Sequence, residues 1–487
     1  MKTKILSVLG IIVAGIYSLG LPNPTKSDSF FAITNTSIIN IEDGKILKEQ
    51  TIIIENDIIK EIGHSNMLEV PEQATLVSGK NKYVIPGLWD MHAHTSSPKI
   101  TRDVIYPLFI ANGITGIRVL SGDCFEPCWE LTMPIAQSKI LQAEVKEGLL
   151  VGPRAIFSSD LIHGAKPGKL STIEAPGTRE DGRKLVHHLI KRDVDFIKIY
   201  NEVPREAYFG IAEEANKQGL NFAGHVPIAV KASEASEAGQ KSIEHCCAGN
   251  ILEECSKEEQ KLREKITALI QTRSGKNMNS LVLELVKTYD SIKCQALFKK
   301  FKFNNTYFTP TLIATEMDNI LKDNNWRQDP RLKYIAKKEL KFWEENEMTT
   351  MELLGKENPL IRKKRFEIIE QMNQTGVKLL AGSDCGVFGV YHGFSLHDEL
   401  ELLVEAGLTE LEALQTATLN AVNYAGLTDS IGKIEKGMKA DLILLNANPL
   451  KSISNTKRIH AVFTNKQYFD RAKLNTMLEK VAAEANE

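Results

Sequence analysis

Two histidines two residues apart, in Asp90-Met91-His92-Ala93-His94, close the apolar run YVIPGLWDMH. On a strand, side chains two apart point to the same side, so both imidazoles can meet one ion. Alone the pattern says little, because His-x-His also arises by chance or packing in proteins that bind no metal. Four more residues stand at or near the ends of comparable runs: Lys198 in DFIKIY, His225 in NFAGHV, His245 in KSIEHC and Asp384 closing LLAGSD. A lone histidine is more often a satisfied core or surface residue than a ligand. Three strands ending in histidine, with a carboxylate on a fourth, reverse that balance. Imidazole and carboxylate together suit zinc, and would also accept manganese or iron.

Such residues need elements that deliver them to one place. Between about residue 84 and residue 430, apolar runs alternate with amphipathic helical stretches: YVIPGLWDMH, GITGIRVL, RAIFSS, DFIKIY, NFAGHV, KSIEHC, YFTPTLIA and VKLLAGSD. Eight strands alternating with helices predict an α/β fold, a (β/α)8 TIM barrel whose functional groups gather at the C-terminal strand ends. The Lys- and Glu-rich stretch 252–301, with leucines at helical spacing, reads as an inserted helical excursion. Beyond the eighth run, LHDELELLVEAG and TELEALQTATLNAVNYAG read as helices, the second opening on a Thr409/Glu412 capping box. Residues 30–63 alternate apolar and polar around Asp43-Gly44 and Asn56-Asp57, the pattern of short antiparallel strands. A second β-rich stretch follows Lys439-Ala440-Asp441. One small β domain is therefore expected from residues 30–83 and 431–475, flanking a barrel at 84–430.

With these motifs in order, the sequence resembles the amidohydrolase superfamily, metal-dependent hydrolases on a distorted barrel with a small β-sandwich domain. PGLWDMHAH, FIKIY, AGHV, SIEHC and AGSD carry the resemblance, with GFSLHDELELLVEAGLTELEALQTATLNA and IGKIEKGMKADLILL. It covers nearly everything after the first twenty residues and is most similar to the imidazolonepropionase-related branch that includes metal-dependent prolidase-type dipeptidases. The resemblance implies two divalent ions, with zinc the natural choice. It places His92 and His94 on the more buried ion, His225 and His245 on the other, and Asp384 at the first ion and the reacting water. Lys198, carboxylated by carbon dioxide, would bridge both. Electrostatics favours that state, because an ammonium facing two divalent ions is repelled, whereas a neutral desolvated amine can add carbon dioxide and become an anion. The plainer alternative is a lysine that binds a substrate carboxylate over a single ion.

The implied chemistry is hydrolysis. A shared water, made acidic by the ions, attacks an amide carbonyl, while Asp384 takes its proton and returns it to the leaving amine. His163 and Tyr200 are the substrate-binding candidates, placed to bond the tetrahedral oxyanion. Arg118 is a candidate carboxylate holder, Tyr391 and His392 could overhang the pocket, and Trp89 reads as core. The expected substrates are small peptides or N-acyl amino acids, above all dipeptides with a C-terminal proline or basic residue, a detail that comes from the resemblance alone. Two other readings stay open. One is hydrolysis or deamination of a cyclic amide, lactone or ring, against which Lys198 argues. The other is a metal-binding protein without catalysis, against which the complete set of six ligand positions argues.

Bulk properties restrict the partners. Of 487 residues, 43% are hydrophobic and 25% charged, the make-up of a globular chain rather than a disordered or multi-span one. Sixty basic residues stand against 62 acidic ones, and a net charge of -2 gives no general attraction to nucleic acid or anionic membrane. The expected partner is a small molecule; assembly into a homo-oligomer is left open. Lys2 and Lys4 ahead of the apolar run 5–21, then Pro22-Asn23-Pro24, give the order of a secretory signal peptide. Removal of residues 1–20, export to the periplasm or the extracellular space, and no lasting membrane embedding are expected. An uncleaved anchor is the alternative, since the run approaches the roughly 18 apolar residues of a span. Seven cysteines, an odd count in so long a chain, do not make a disulfide framework. Cys124 and Cys128 can close a small loop, whereas Cys246, Cys247 and Cys385 read as small buried side chains.

Overall fold

The computed structural model describes residues 30–125, 128, 132–164, 176–245, 250–271, 278–316, 326–354 and 358–486. The expected signal segment, Cys246 and Cys247 lie outside them. The described residues open with β1 (Phe30–Ile39), β2 (Ile46–Glu55), β3 (Ile58–His64), β4 (Thr75–Ser78) and β5 (Tyr83–Pro86). Asn56 and Asp57, with φ of 51° and 78°, make the tight turn between β2 and β3, a conformation these two residue types tolerate better than most. After Gly87 come β6 (Leu88–Ala93), β7 (Ile114–Val119), β8 (Arg154–Ile162), β9 (Phe196–Ile199), β10 (Phe222–Gly224), β11 (Ser242–Glu244) and β12 (Tyr307–Thr309). These seven are parallel and neighbour one another in sequence order. The chain ends with β13 (Leu442–Leu445), β14 (Ile459–Thr464), β15 (Gln467–Asp470) and a helix at Arg471–Glu484.

The eighth expected run, VKLLAGSD, forms no regular strand. Residues 378–384 pass between β12 and β6 as an irregular segment bonded on both sides. Phe308 N–H donates to Lys378 O at 3.0 Å and Leu380 N–H to Phe308 O at 2.9 Å, while Met91 N–H donates to Ala381 O at 2.9 Å and Asp384 N–H to His92 O at 2.7 Å. The parallel barrel is thereby nearly closed on seven strands. Gly382 and Asp384 account for the irregularity. A Cβ on Gly382 would lie 2.7 Å from both the backbone N and the Cβ of His92, and Asp384 turns left-handed at φ 61°; close approach followed by a turn breaks the ladder. YFTPTLIA is also shorter as a strand than expected, because left-handed Thr311 turns the chain into a short helix at Leu312–Thr315.

The β domain differs from the two facing sheets of a sandwich. All its strands join one sheet in the order β15-β14-β13-β5-β1-β2-β3, with β4 also paired to β1. Register shifts between Ile33 and Ile38 bend β1, so β4 pairs with its first half and β5 with its second. Bulges of this kind increase twist. The one sheet curls around its own core of Ile33, Ile52, Ile59, Val84, Leu442 and Leu444.

Among the described residues between β11 and β12 stand four helices, Asn250–Glu254, Glu259–Gln271, Met278–Lys287 and Ser291–Phe303. A disulfide joins Cys255 to Cys294 across this excursion, a pairing that spacing did not suggest. Cys124 and Cys128 are also joined, and Cys385 is buried and free. The capping box forms, with Thr409 and Glu412 exchanging side-chain and backbone bonds. No helix among the described residues is long and apolar enough to cross a membrane.

Candidate active site

Five segments of the barrel meet at one cavity of about 340 Å3, lined by His92, His94, Lys198, His225, His245 and Asp384 together with Ser121, Leu161, Tyr200 and Val387. β6 supplies His92, the residue just after it is His94, β9 supplies the lysine, the residues just after β10 and β11 are the next two histidines, and the irregular segment supplies the aspartate. Lys198 is 2% exposed, and burial pushes its ammonium down to about 8. The glycine of AGHV makes room for it: a Cβ on Gly224 would lie 2.9 Å from Lys198 Cδ and 2.3 Å from the Ile199 carbonyl.

Each histidine is oriented by a second group. His92 turns Nδ1 to Glu244 Oε2 at 3.1 Å, leaving Nε2 3.4 Å from Asp384 Oδ1. His94 Nε2 meets the same oxygen at 2.9 Å. His225 Nδ1 faces Asn201 Oδ1 at 2.6 Å, and His245 Nδ1 faces Thr311 Oγ1 at 3.0 Å. Burial lowers the pKa of His92, His225 and His245, the last to about 4, so these rings are neutral and carry lone pairs at neutral pH. Burial alone would raise Asp384, but His92, the bond from His94 and the nearby His245 outweigh it and hold the carboxyl well below its usual range. Asp384 and His245 both sit at positive φ, 61° and 71°, strain of the kind that collects at functional sites.

The donor set fits a divalent ion. His92, His245 and Asp384 each present an atom within 4.8 Å of the others. His94 Nδ1 and His225 Nε2 are buried without a hydrogen-bond partner, which is costly for a polar atom unless something else satisfies it.

The remaining candidates divide. Tyr200 lines the cavity with its ring 4.3 Å from that of His225, and burial raises its phenol so that it stays protonated. His163 stands behind it, rings 4.9 Å apart, and is not part of the wall; its Nδ1 accepts the Gly164 N–H at 2.7 Å. Arg118 is no rim residue. It is 0% exposed inside the barrel, where it donates to Met91 O, Ser242 Oγ, Thr309 Oγ1 and, at 2.7 Å, Glu244 Oε2. Tyr391 and His392 do not overhang the cavity either. Tyr391 packs on Trp343 beneath Arg331 and His392 lies edge-on to Phe109, both drawn inward by their apolar neighbours. Trp89 is core.

Sequence reasoning missed Glu244, Asn201 and Thr311, and the part Asp90 plays. Asp90, buried and pushed up to about 6 by that burial, accepts the N–H of His92 at 3.2 Å and of Ser383 at 2.9 Å. It thus ties the strand of the first two histidines to the segment that carries Asp384.

Residues 83–467 match the model of the amidohydrolase family. The chain belongs to that family. Over 466 residues this amidohydrolase is 23% identical to an ochratoxinase of Aspergillus niger, covering 84% of this chain and 80% of the other. The A. niger ochratoxinase crystal structure superposes with a TM-score of 0.60 at 19% identity, over 91% of this chain and 96% of that one. The crystal structure of a Xaa-Pro dipeptidase with bound methionine in its active site gives a TM-score of 0.59 at 18% identity, over 91% and 100%. A shorter stretch of 62 residues, 13% of the chain, is 42% identical to a 5-methylthioadenosine/S-adenosylhomocysteine deaminase of Dictyoglomus turgidum, of which it spans 14%. Membership makes the protein a hydrolase of a generally metal-dependent family with prolidase-like structural neighbours.

Proposed function

We propose that this amidohydrolase is an exported enzyme that cleaves amide bonds in small peptides or N-acyl amino acids, with prolidase-like dipeptides foremost, using two divalent ions, zinc by preference. Convergence carries the proposal: six ligating side chains from five segments line a single cavity. Its volume suits a dipeptide-sized molecule rather than a polymer.

His92, His94 and Asp384 would hold one ion, and His225 and His245 the other. Lys198, already pushed toward its neutral amine by burial, would add carbon dioxide at Nζ with loss of one proton, and the carbamate would offer an oxygen to each ion. Bound there, the ions would lower the pKa of a shared water toward about 7 and polarise the substrate carbonyl. Asp384 receives the proton of the attacking water and passes it to the amide nitrogen as the C–N bond breaks, a general base that becomes a general acid. Tyr200, a protonated phenol on the wall, donates to the oxygen that gains charge, and His163 supports it from behind through ring contact.

Screening dipeptides and N-acyl amino acids against the zinc-loaded protein tests the substrate class; no turnover of either rejects it. Asp384→Asn should abolish turnover while metal stays bound, and a variant that still turns over removes Asp384 from this role. A second reading, deamination of a ring, is favoured by the deaminase-like stretch. Ammonia release from aminated rings, without peptide cleavage, would establish it instead.

A further inference from the structure

Helix Ser395–Glu405 carries a carboxyl group with no access to solvent. Glu399 is 0% exposed, its Oε2 accepts the Ile313 N–H at 2.8 Å, the Leu312 N–H also bonds it, and its Oε1 is buried with no hydrogen-bond partner. A group excluded from water in this way destabilises a fold unless its bonds fix something in return. What it fixes is the turn after β12. The helix there, Leu312–Thr315, has four residues, too few to hold its own conformation, and its first amides have no partner within the helix.

The residue entering that turn is under strain. Thr311 adopts φ 45° and ψ 50°, a left-handed conformation that β-branched residues rarely take. In it, Thr311 Oγ1 meets His245 Nδ1. On its other sides the Glu399 helix is anchored and cannot follow a shifting turn. His397 bonds Thr456 Oγ1 and the Asn112 carbonyl, each at 2.9 Å, and Asp398 accepts from Arg331 and Lys457, each at 2.8 Å.

We infer that Glu399 is a positioning residue for the metal site: by holding the Leu312 and Ile313 amides it keeps Thr311 in its strained conformation, and Thr311 in turn fixes the ring of His245. The inference rests on the proposed reading in which His245 is a metal ligand. Glu399 itself touches neither substrate nor ion, and acts through two intermediaries.

Zinc titration of the full chain against a chromogenic chelator tests it, with thermal unfolding followed in parallel. The wild type should bind two ions. Glu399→Gln keeps a carbonyl acceptor for the amides and should stay close to wild-type affinity. Glu399→Leu and Thr311→Val should each weaken one of the two ions about ten- to a hundred-fold, as loss of an orienting partner does, and the double variant should lose no more than the worse single. A cooperatively folded Glu399→Leu protein with both affinities intact overturns the proposal, as do single losses that multiply in the double. Should Glu399→Leu fail to fold, Thr311→Val still decides, since undiminished binding there breaks the link to His245. A wild type that holds fewer than two ions removes the metal reading and this inference together; a two-ion wild type with unaffected variants removes this inference alone.

Discussion

Lys198 is the residue whose chemical state matters most. An ammonium in a cavity lined by four imidazoles would repel any divalent ion, and burial already draws its pKa to about 8, so the proposed carbamate would resolve the conflict. Lys198→Ala should therefore leave at most one tightly held ion; two equivalents by metal analysis of the folded variant would show that no bridge is needed. The candidate ligands were readable because each stands at the end of an apolar run, where chain order alone suggests a common rim. Glu244 was not. It directly precedes His245 and, in the same phase as Ser242 on β11, points into the barrel, where Arg118 and Ser242 bond it. No periodicity marks a carboxylate whose partner lies 126 residues earlier. Both groups are 0% exposed at the side chain, so Arg118→Met would strand Glu244 as an unpaired buried charge. A loss of about 3–5 kcal/mol is expected by denaturant unfolding, partly recovered when Glu244 is also made apolar. An unchanged midpoint would mean that the pair is solvated.

At the scale of elements, Glu399 makes the stability of the barrel wall depend on pH. Burial raises its carboxyl to about 8 from an ordinary value of 4.5, with Asp90 and Glu316 adding repulsion and the Ile313 and Leu312 amides opposing. Between those two values the folded chain keeps a proton that the unfolded chain has lost. The group's contribution is therefore fully present below about pH 4.5 and is lost as pH rises through about 8. Glu399→Gln should flatten the fall in Tm across that window relative to wild type; parallel Tm profiles for the two proteins would place the proton elsewhere. Element types were largely legible here, boundaries less so. VKLLAGSD has the composition of a buried strand, yet close packing of Gly382 on His92 and the left-handed turn at Asp384 override it. The bend in β1 that turns an expected sandwich into one curled sheet likewise depends on pairing across distant strands, which local pattern does not carry.

For the whole molecule, the sequence suggests a barrel at 84–430 and a small β domain built from both ends of the chain, and the two share a core. Ile39 and Ile41 from the first segment and Ile443, Leu445, Val462 and Leu474 from the last pack in one cluster with Phe109, Ile117, Ile197 and Phe308 of the barrel. Polar bonds cross the same boundary: the Gly87 N–H donates to Asp441 O at 2.9 Å, and Thr115 Oγ1 donates to Asp441 Oδ2 at 2.9 Å. The last helix, running beyond residue 475, lays Val481 against Val104 and Leu108. Separable domains usually meet through a modest, fairly polar interface across which few contacts run; here the strand that enters the barrel, β6, continues directly from β5 of the sheet. Residues 84–430 made alone should accordingly lack a cooperative thermal transition and bind no zinc, because the cut uncovers Phe109 and Ile117 and removes Asp441, the partner of Gly87 and Thr115. The chain from residue 21 onward should unfold in one transition, with circular dichroism and tyrosine fluorescence melting together. A soluble 84–430 fragment with a sharp melt and bound zinc would show that the shared core is dispensable and that the metal site needs only the barrel.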